Sequence, residues 1–242
     1  MFMQKEVKYE MKLLSSLAKV FQDETPVYRP ECLKLSALWG ETVSFQAAYT
    51  GDYFMRERLE VRVLSPIEKQ VRVRTVEQVP VGRATNRIVD DNYLKTTSGL
   101  YPDLLRDLKD NKVIVCSHQW RSLWIDVEVT EEIEAGDYEI EIQLVKEAEV
   151  VCSGVMKITV IPAALPKLGI MHTEWLHADC LADYYHVEVF SEEHWKLLEN
   201  YFHEYVHRGC NMMLVPLFTS PLDTAVGLER TTTQLVDVYV KD

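Results

Sequence analysis

Two histidines four residues apart, His203 and His207, enclose Glu204 in the stretch HEYVH. This spacing puts both imidazoles on one face of a helix with a carboxylate between them, the arrangement metallopeptidases use to hold zinc and activate a water. A second group of chemistry-bearing residues lies in HTEWLHADC (His172–Cys180), which carries Glu174, Trp175, His177 and Asp179. A third stretch, FTSPLDT (Phe218–Thr224), carries Asp223. Carboxylates and imidazoles can orient a polar substrate, and an indole offers a stacking face for the C–H groups of a sugar. No G-x-S-x-G, Walker-type or dinucleotide fingerprint is present.

The elements that must position these residues follow from periodicity. Ser191 is a good N-cap for a helix running to about Arg208, with Gly209 just beyond its end. At roughly 100° per residue, Trp195, Leu198, Phe202, Tyr205 and Val206 share one arc, with Leu197 and Tyr201 at its edge. Glu193, Lys196, Glu199, Asn200, His203, Glu204 and His207 share the opposite arc. Both histidines thus fall on the polar side, and the helix ends right after the second. The expectation is a solvated helix face, set against the zinc-peptidase reading. A metal site from His172, Glu174, His177 and Asp179 is the other metal reading, and its spacing matches no established zinc pattern.

On either side of this helix lie short apolar runs, KLGIMH (Lys167–His172) and NMMLVPL (Asn211–Leu217), which read as strands. A strand–helix–strand unit builds parallel sheet, and sites in such sheets form at the carboxyl ends of the strands. Glu174, Trp175, His177, Asp179 and Asp223 are placed there and are the candidate substrate-binding residues. The competing reading is that His172, His177 and Asp179 only satisfy backbone groups at strand ends.

Up to about residue 162 the period is two. Alternation marks Val43–Tyr49, Arg58–Leu64, Val71–Val79, Ser122–Val129, Tyr138–Leu144 and Val155–Ile161, with Val7–Leu13 as a further candidate. About seven short strands with polar faces point to an antiparallel β-sandwich. Gly136 and Asp137 supply turn chemistry before Tyr138, a residue positioned for a corner hydrogen bond. Gly82–Pro102 reads as a long loop, and PAALP (Pro162–Pro166) as a linker. The expected domains are residues 1–165, a β-sandwich, and residues 166–242.

With 242 residues, 47% hydrophobic and 26% charged, the chain can bury a real core. Its net charge of −12 repels phosphate backbones and argues against nucleic acid as a partner. Lys5, Glu6, Lys8, Glu10 and Lys12 interrupt any apolar run near the N-terminus, and no window suggests a membrane span. The five cysteines are an odd number, widely scattered and without C-x-x-C. They read as free, mostly buried thiols of a reducing, cytoplasmic compartment.

Three stretches carry a family resemblance: HTEWLHADCLADYYHVEVFSEEHW (His172–Trp195), GCNMMLVPLFTSPLDTAVGLERTTTQLVDV (Gly209–Val238) and GLYPDLL (Gly99–Leu105). They resemble a bacterial family, formerly a domain of unknown function, now grouped with glycoside hydrolase family 123, the β-N-acetylgalactosaminidases. The resemblance spans nearly the whole chain and is strongest after Ile161. It implies a sandwich followed by a (β/α)8 barrel, so that the chain holds the first βαβ unit of an incomplete barrel, a mixed β and α/β architecture. It further implies substrate-assisted, retaining hydrolysis, an exception to the two-carboxylate scheme. The sugar's own acetamido oxygen attacks the anomeric carbon, an aspartate polarises that group, and a glutamate protonates the leaving oxygen.

The single Asp-Glu dipeptide here, Asp23-Glu24, lies ahead of the sandwich at no matching position. The expectation is therefore the N-terminal portion of a glycoside-hydrolase-like protein, truncated before its catalytic pair and inactive alone. No catalytic residue, metal or cofactor is assigned. The expected partner is carbohydrate, an N-acetylated hexosamine, with self-association through the incomplete barrel. The alternative is a non-catalytic carbohydrate-binding or scaffolding sandwich, with Trp120, Trp124 and Tyr101 as its platform.

Overall fold

A computed structural model describes residues 8–27, 33–52, 56–85, 93–166 and 169–214. The chain divides into two compact units, Met1–Leu165 and Pro166–Asp242.

The described residues of the first unit form two five-stranded sheets. One is built from β1 (Tyr9–Ser15), β3 (Glu41–Gly51), β8 (Arg121–Val129), β5 (Val71–Val81) and β6 (Gly99–Asp107), in that spatial order. The other is built from β2 (Lys34–Trp39), β10 (Glu149–Ala164), β9 (Gly136–Lys146), β4 (Glu57–Leu64) and β7 (Lys112–Val115). Alternation dictates which face is buried. Leu123, Ile125, Val127 and Val129 of β8 meet Ile140, Ile142 and Leu144 of β9 and Met156, Ile158 and Val160 of β10 in one shared core. Each large side chain so buried contributes about 1.5–3 kcal/mol before entropy is counted. Polar partners such as Asp126 and Glu141 take the intervening positions on the outer faces.

The strand count exceeds the seven that alternation marks, because β2, β6 and β7 show no clean period of two. The long loop is shorter than Gly82–Pro102, since β6 begins at Gly99. The PAALP stretch begins as strand: β10 runs through Ala164, and Pro162 sits where its register against β2 shifts, between Ile161 and Ala164. A proline has no N–H for the ladder, so an irregular position is where a strand tolerates it. The sandwich is also not wholly antiparallel, because β10 pairs with β2 in parallel. Tyr138 does make its corner bond, its hydroxyl donating to the Glu134 carbonyl at 2.8 Å.

A small second core covers the outer face of the first sheet. Leu14, Val20, Ala48 and Trp120 cluster there beneath the segment that follows β1. Gln46, buried in the sheet, donates from Nε2 to the Ala18 carbonyl at 2.7 Å and accepts from Ser122 Oγ at 2.9 Å. These bonds offset the desolvation of the amide and hold the covering segment in place.

The described residues of the second unit form a strand, two helices and a strand. β11 (Thr173–Trp175) pairs in parallel with β12 (Met212–Leu214), and α1 (Ala178–Tyr185) and α2 (Glu192–His207) lie between them in sequence. The first strand therefore begins where KLGIMH ends. Asn211 is the reason: its Oδ1 accepts the His172 N–H at 2.9 Å, and its Nδ2 donates to the Ile170 carbonyl at 2.9 Å. Those backbone groups are satisfied before the ladder starts. Among the described residues no helix is long and apolar enough to cross a membrane.

Candidate functional site

α2 is fixed by its N-terminus. The Ser191 hydroxyl accepts the His194 N–H at 3.2 Å, and the His194 ring returns the favour by accepting the Phe190 N–H on Nδ1 at 2.9 Å. This resembles a capping box, except that the His194 ring accepts from the residue before the cap, while the Ser191 N–H itself donates to the Glu188 carbonyl at 3.1 Å. The other ring nitrogen, Nε2, lies 2.8 Å from the Ala178 carbonyl, so it carries the proton and ties α2 to α1. Glu192 and Glu193 in the first turn suit the positive end of the helix dipole. Gly209, at φ 86°, ends the helix in a left-handed conformation.

The buried stripe of α2 is His194 and Leu198, flanked by half-buried Leu197, Phe202 and Tyr205. Trp195 and Val206 are exposed, at 44% and 68%. The apolar arc read from the helical wheel is thus turned, because the capping role of His194 draws it inward in place of Trp195. His203 and His207 are both exposed. Among the described residues no group of three or more His, Cys, Asp or Glu side chains is placed to hold a metal ion.

Tyr205 carries α2 to the strands. Its hydroxyl lies 2.8 Å from the Met212 carbonyl and 2.9 Å from the Glu174 carbonyl, and it accepts the Glu174 N–H. One phenol oxygen thus joins both strands of the parallel pair to the helix. The pairing extends one residue further through Leu176 N–H to the Leu214 carbonyl at 3.2 Å.

At the carboxyl end of β11, Trp175 is 63% exposed and lies parallel to the His177 imidazole, with ring centres 6.1 Å apart and 4° between planes. His177 stands at the N-cap of α1, and its Nδ1 is buried with no hydrogen-bond partner among the described residues. Glu174 sits in the strand itself, exposed, with Oε1 3.5 Å from His172 Nε2. Behind His172 lies the thiol of Cys210, 3.8 Å from Nδ1. Asp179 occupies the first turn of α1 and is 6% exposed. The structure therefore brings Trp175 and His177 together as one ring surface, sets Glu174 beside His172, and encloses Asp179. Asp223 lies outside the described residues. Tyr205 and His194, which hold this end in place, carry no sequence signal beyond helix position.

The aromatic residues of the sandwich are otherwise engaged. Trp120 is buried, with Lys12 Nζ 4.9 Å above its ring, and Tyr101 packs edge-on against Phe21. Trp124 lies on the outer face, where Nε1 donates to Asp126 Oδ1 at 2.7 Å. Asp126 also accepts from Ser44 Oγ at 2.6 Å and pairs with Arg74. Partial burial pushes this carboxyl up, but the bonds from Ser44, Trp124 and Arg74 and the Arg74 charge outweigh it and hold it below the usual range. Among the described residues no disulfide forms. The described cysteines are less enclosed than expected: only Cys210 is buried and Cys180 is exposed, while burial pushes the Cys152 thiol up to about 12.

Residues 175–242 match the family model of the glycoside hydrolase 123 catalytic domain. Among solved structures, the chain is similar to a family 123 glycoside hydrolase from Clostridium perfringens, described for glycolipid glycan hydrolysis, with a TM-score of 0.61 and 14% identity. That similarity covers 86% of this chain and 37% of the relative, so the chain spans little more than a third of the relative's length. A β-glucosidase from Listeria innocua overlaps far more loosely, at a TM-score of 0.30 and 11% identity over 66% of this chain and 17% of that one. No curated protein sequence matches the chain. The chain thus resembles family 123 glycoside hydrolases in two separate respects: residues 175–242 match the family's catalytic-domain model, and its fold is shared with a family 123 enzyme.

Proposed function

We propose that the carboxyl end of β11 is a sugar-contacting surface of a retaining, substrate-assisted β-N-acetylgalactosaminidase-like protein. The observation that carries this is the Trp175–His177 ring pair, whose buried Nδ1 has no partner among the described residues. A pyranose stacked on the exposed indole would lie beside the imidazole, whose orientation an enclosed and unpaired Nδ1 leaves unfixed by any hydrogen bond among the described residues. Glu174 and Asp223 are proposed as further substrate contacts. Asp179 is proposed to act from beneath the surface, since it is enclosed. The parallel β11–β12 pair with α2 between is proposed as the opening βαβ unit of a (β/α)8 barrel.

Residues 1–242 are proposed to bind without hydrolysing. Their one Asp-Glu dipeptide is held by Lys95, whose Nζ lies 2.9 Å from Asp23 and 3.2 Å from Glu24. That engagement, on a loop of the sandwich unit, fits a structural role. A reducing compartment such as the cytoplasm is proposed from the unbridged thiols of Cys116, Cys152 and Cys210. Self-association with a second copy is proposed through the exposed Trp195 and Val206 side of α2.

The test is saturation-transfer NMR with a β-linked N-acetylgalactosaminide, run beside a release assay. Transfer to the acetamido methyl in the natural chain, its loss in Trp175→Ala, and no released sugar are expected. Equal transfer in both proteins would end the reading.

A further inference from the structure

We propose that the sandwich unit carries a second binding site, for a carbohydrate bearing sulfate or carboxylate groups, in a cleft of about 450 Å3 at the edge strands β6 and β7. Its size falls in the range of small-ligand sites. Six cations line it: Arg56, Arg58, Arg106, Lys109, Lys112 and Arg121. Only two carboxylates join them, Glu77 and Asp107, and Asp107 is already engaged by Arg72 at 2.9 Å. In a chain of net charge −12 this is a local inversion of sign, which focuses anions.

Two features of the cleft are unfavourable without a ligand. The β6–β7 connection is a tight turn in which Asp110 and Asn111 both take left-handed backbone, φ 56° and 50°, closed by Lys112 N–H to the Lys109 carbonyl at 3.1 Å. This two-residue geometry sets Lys109 and Lys112 directly opposite each other as bridge partners. Like charges in such a cross-strand pair repel. In addition, Arg121 Nε is buried with no hydrogen-bond partner among the described residues. A buried orphan donor costs about 1–3 kcal/mol. Among the described residues none of the six cations forms an ion pair that would relieve this. An oxyanion between the lysines answers the first feature and places a counter-charge beside the Arg121 guanidinium that lines the same cleft, and the planar arginine fork suits sulfate and carboxylate geometry. The carbohydrate class rests on the glycoside-hydrolase reading; the anion does not.

Isothermal titration of the whole chain with a heparin hexasaccharide tests the site, with a neutral N-acetylglucosamine hexamer and inorganic sulfate as comparators. The hexasaccharide is expected to bind, to weaken as salt is raised, and to lose at least tenfold in affinity in a Lys109→Glu, Lys112→Glu double variant. These are exposed turn positions, and a melting temperature unchanged or raised in the variant shows that the fold persists. No binding, unchanged affinity in the variant, or sulfate alone binding as tightly as the saccharide would overturn the proposal. Heparin binding with no N-acetylgalactosaminide signal at Trp175 would remove the hydrolase reading and keep the anion site; the reverse result would remove only the cleft.

Discussion

The hydroxyl of Tyr205 lies 2.8 Å from the Met212 carbonyl, joining α2 to the second strand, and the same oxygen accepts the Glu174 N–H of the first. A two-stranded parallel sheet has few ladder bonds of its own, so this phenol is a large share of what fixes the site end. Tyr205→Phe keeps the ring and removes the bridge. It should cost about 1 kcal/mol and should speed hydrogen exchange of the Glu174 amide. Amides of β8, in the sandwich, serve as the unchanged control. Unaltered protection at Glu174 would show that the bridge is incidental.

His194 is wholly buried, accepts on Nδ1 and donates on Nε2. Replacing it with leucine preserves volume but strands the Phe190 N–H and the Ala178 carbonyl. The expected loss is roughly 1–3 kcal/mol, read as a lower urea midpoint for unfolding of the second unit. An unchanged midpoint would mean that the helix cap does not depend on the ring.

Acid should weaken the sandwich through Asp126. Its folded-state carboxyl is held below the ordinary value of 3.8 despite partial burial. A group depressed in this way contributes stability that is fully present above the unfolded pKa and is lost as pH falls through the folded one. Stability measured from pH 6 down should therefore hold until about pH 4 to 5 and then decline. Asp126→Asn should be less stable at neutral pH and show a shallower acid slope. Parallel slopes for the two proteins would assign the acid loss elsewhere.

The features legible in the sequence were those with local causes. Strand faces in β4, β8 and β9 follow from alternation, and the limits of α2 follow from Ser191 and Gly209. What escaped was set by distant partners. The start of β11 depends on Asn211, 39 residues from His172 in sequence. The rotation of α2 depends on a histidine that caps its own helix while bonding α1, and α1 itself is too short for a clear period. Strand-end reasoning sets Glu174, Trp175, His177 and Asp179 near the carboxyl end of the first strand, and the structure has β11 ending at Trp175 and α1 opening at Ala178; their contact with substrate is the proposal made above. The stacking of two rings and the enclosure of Asp179 needed coordinates. The lining of the cationic cleft draws on six strands and a turn, so no single window of sequence displays it.

The central claim is that a sugar sits on Trp175. The chain has five tryptophans, so uniform 5-fluorotryptophan labelling gives five fluorine resonances, assigned by single substitution. Titration with a β-linked N-acetylgalactosaminide should shift the Trp175 resonance in a saturable way, leave that of buried Trp120 in place, and lose the effect in His177→Ala. A titration that leaves Trp175 unmoved would contradict the account.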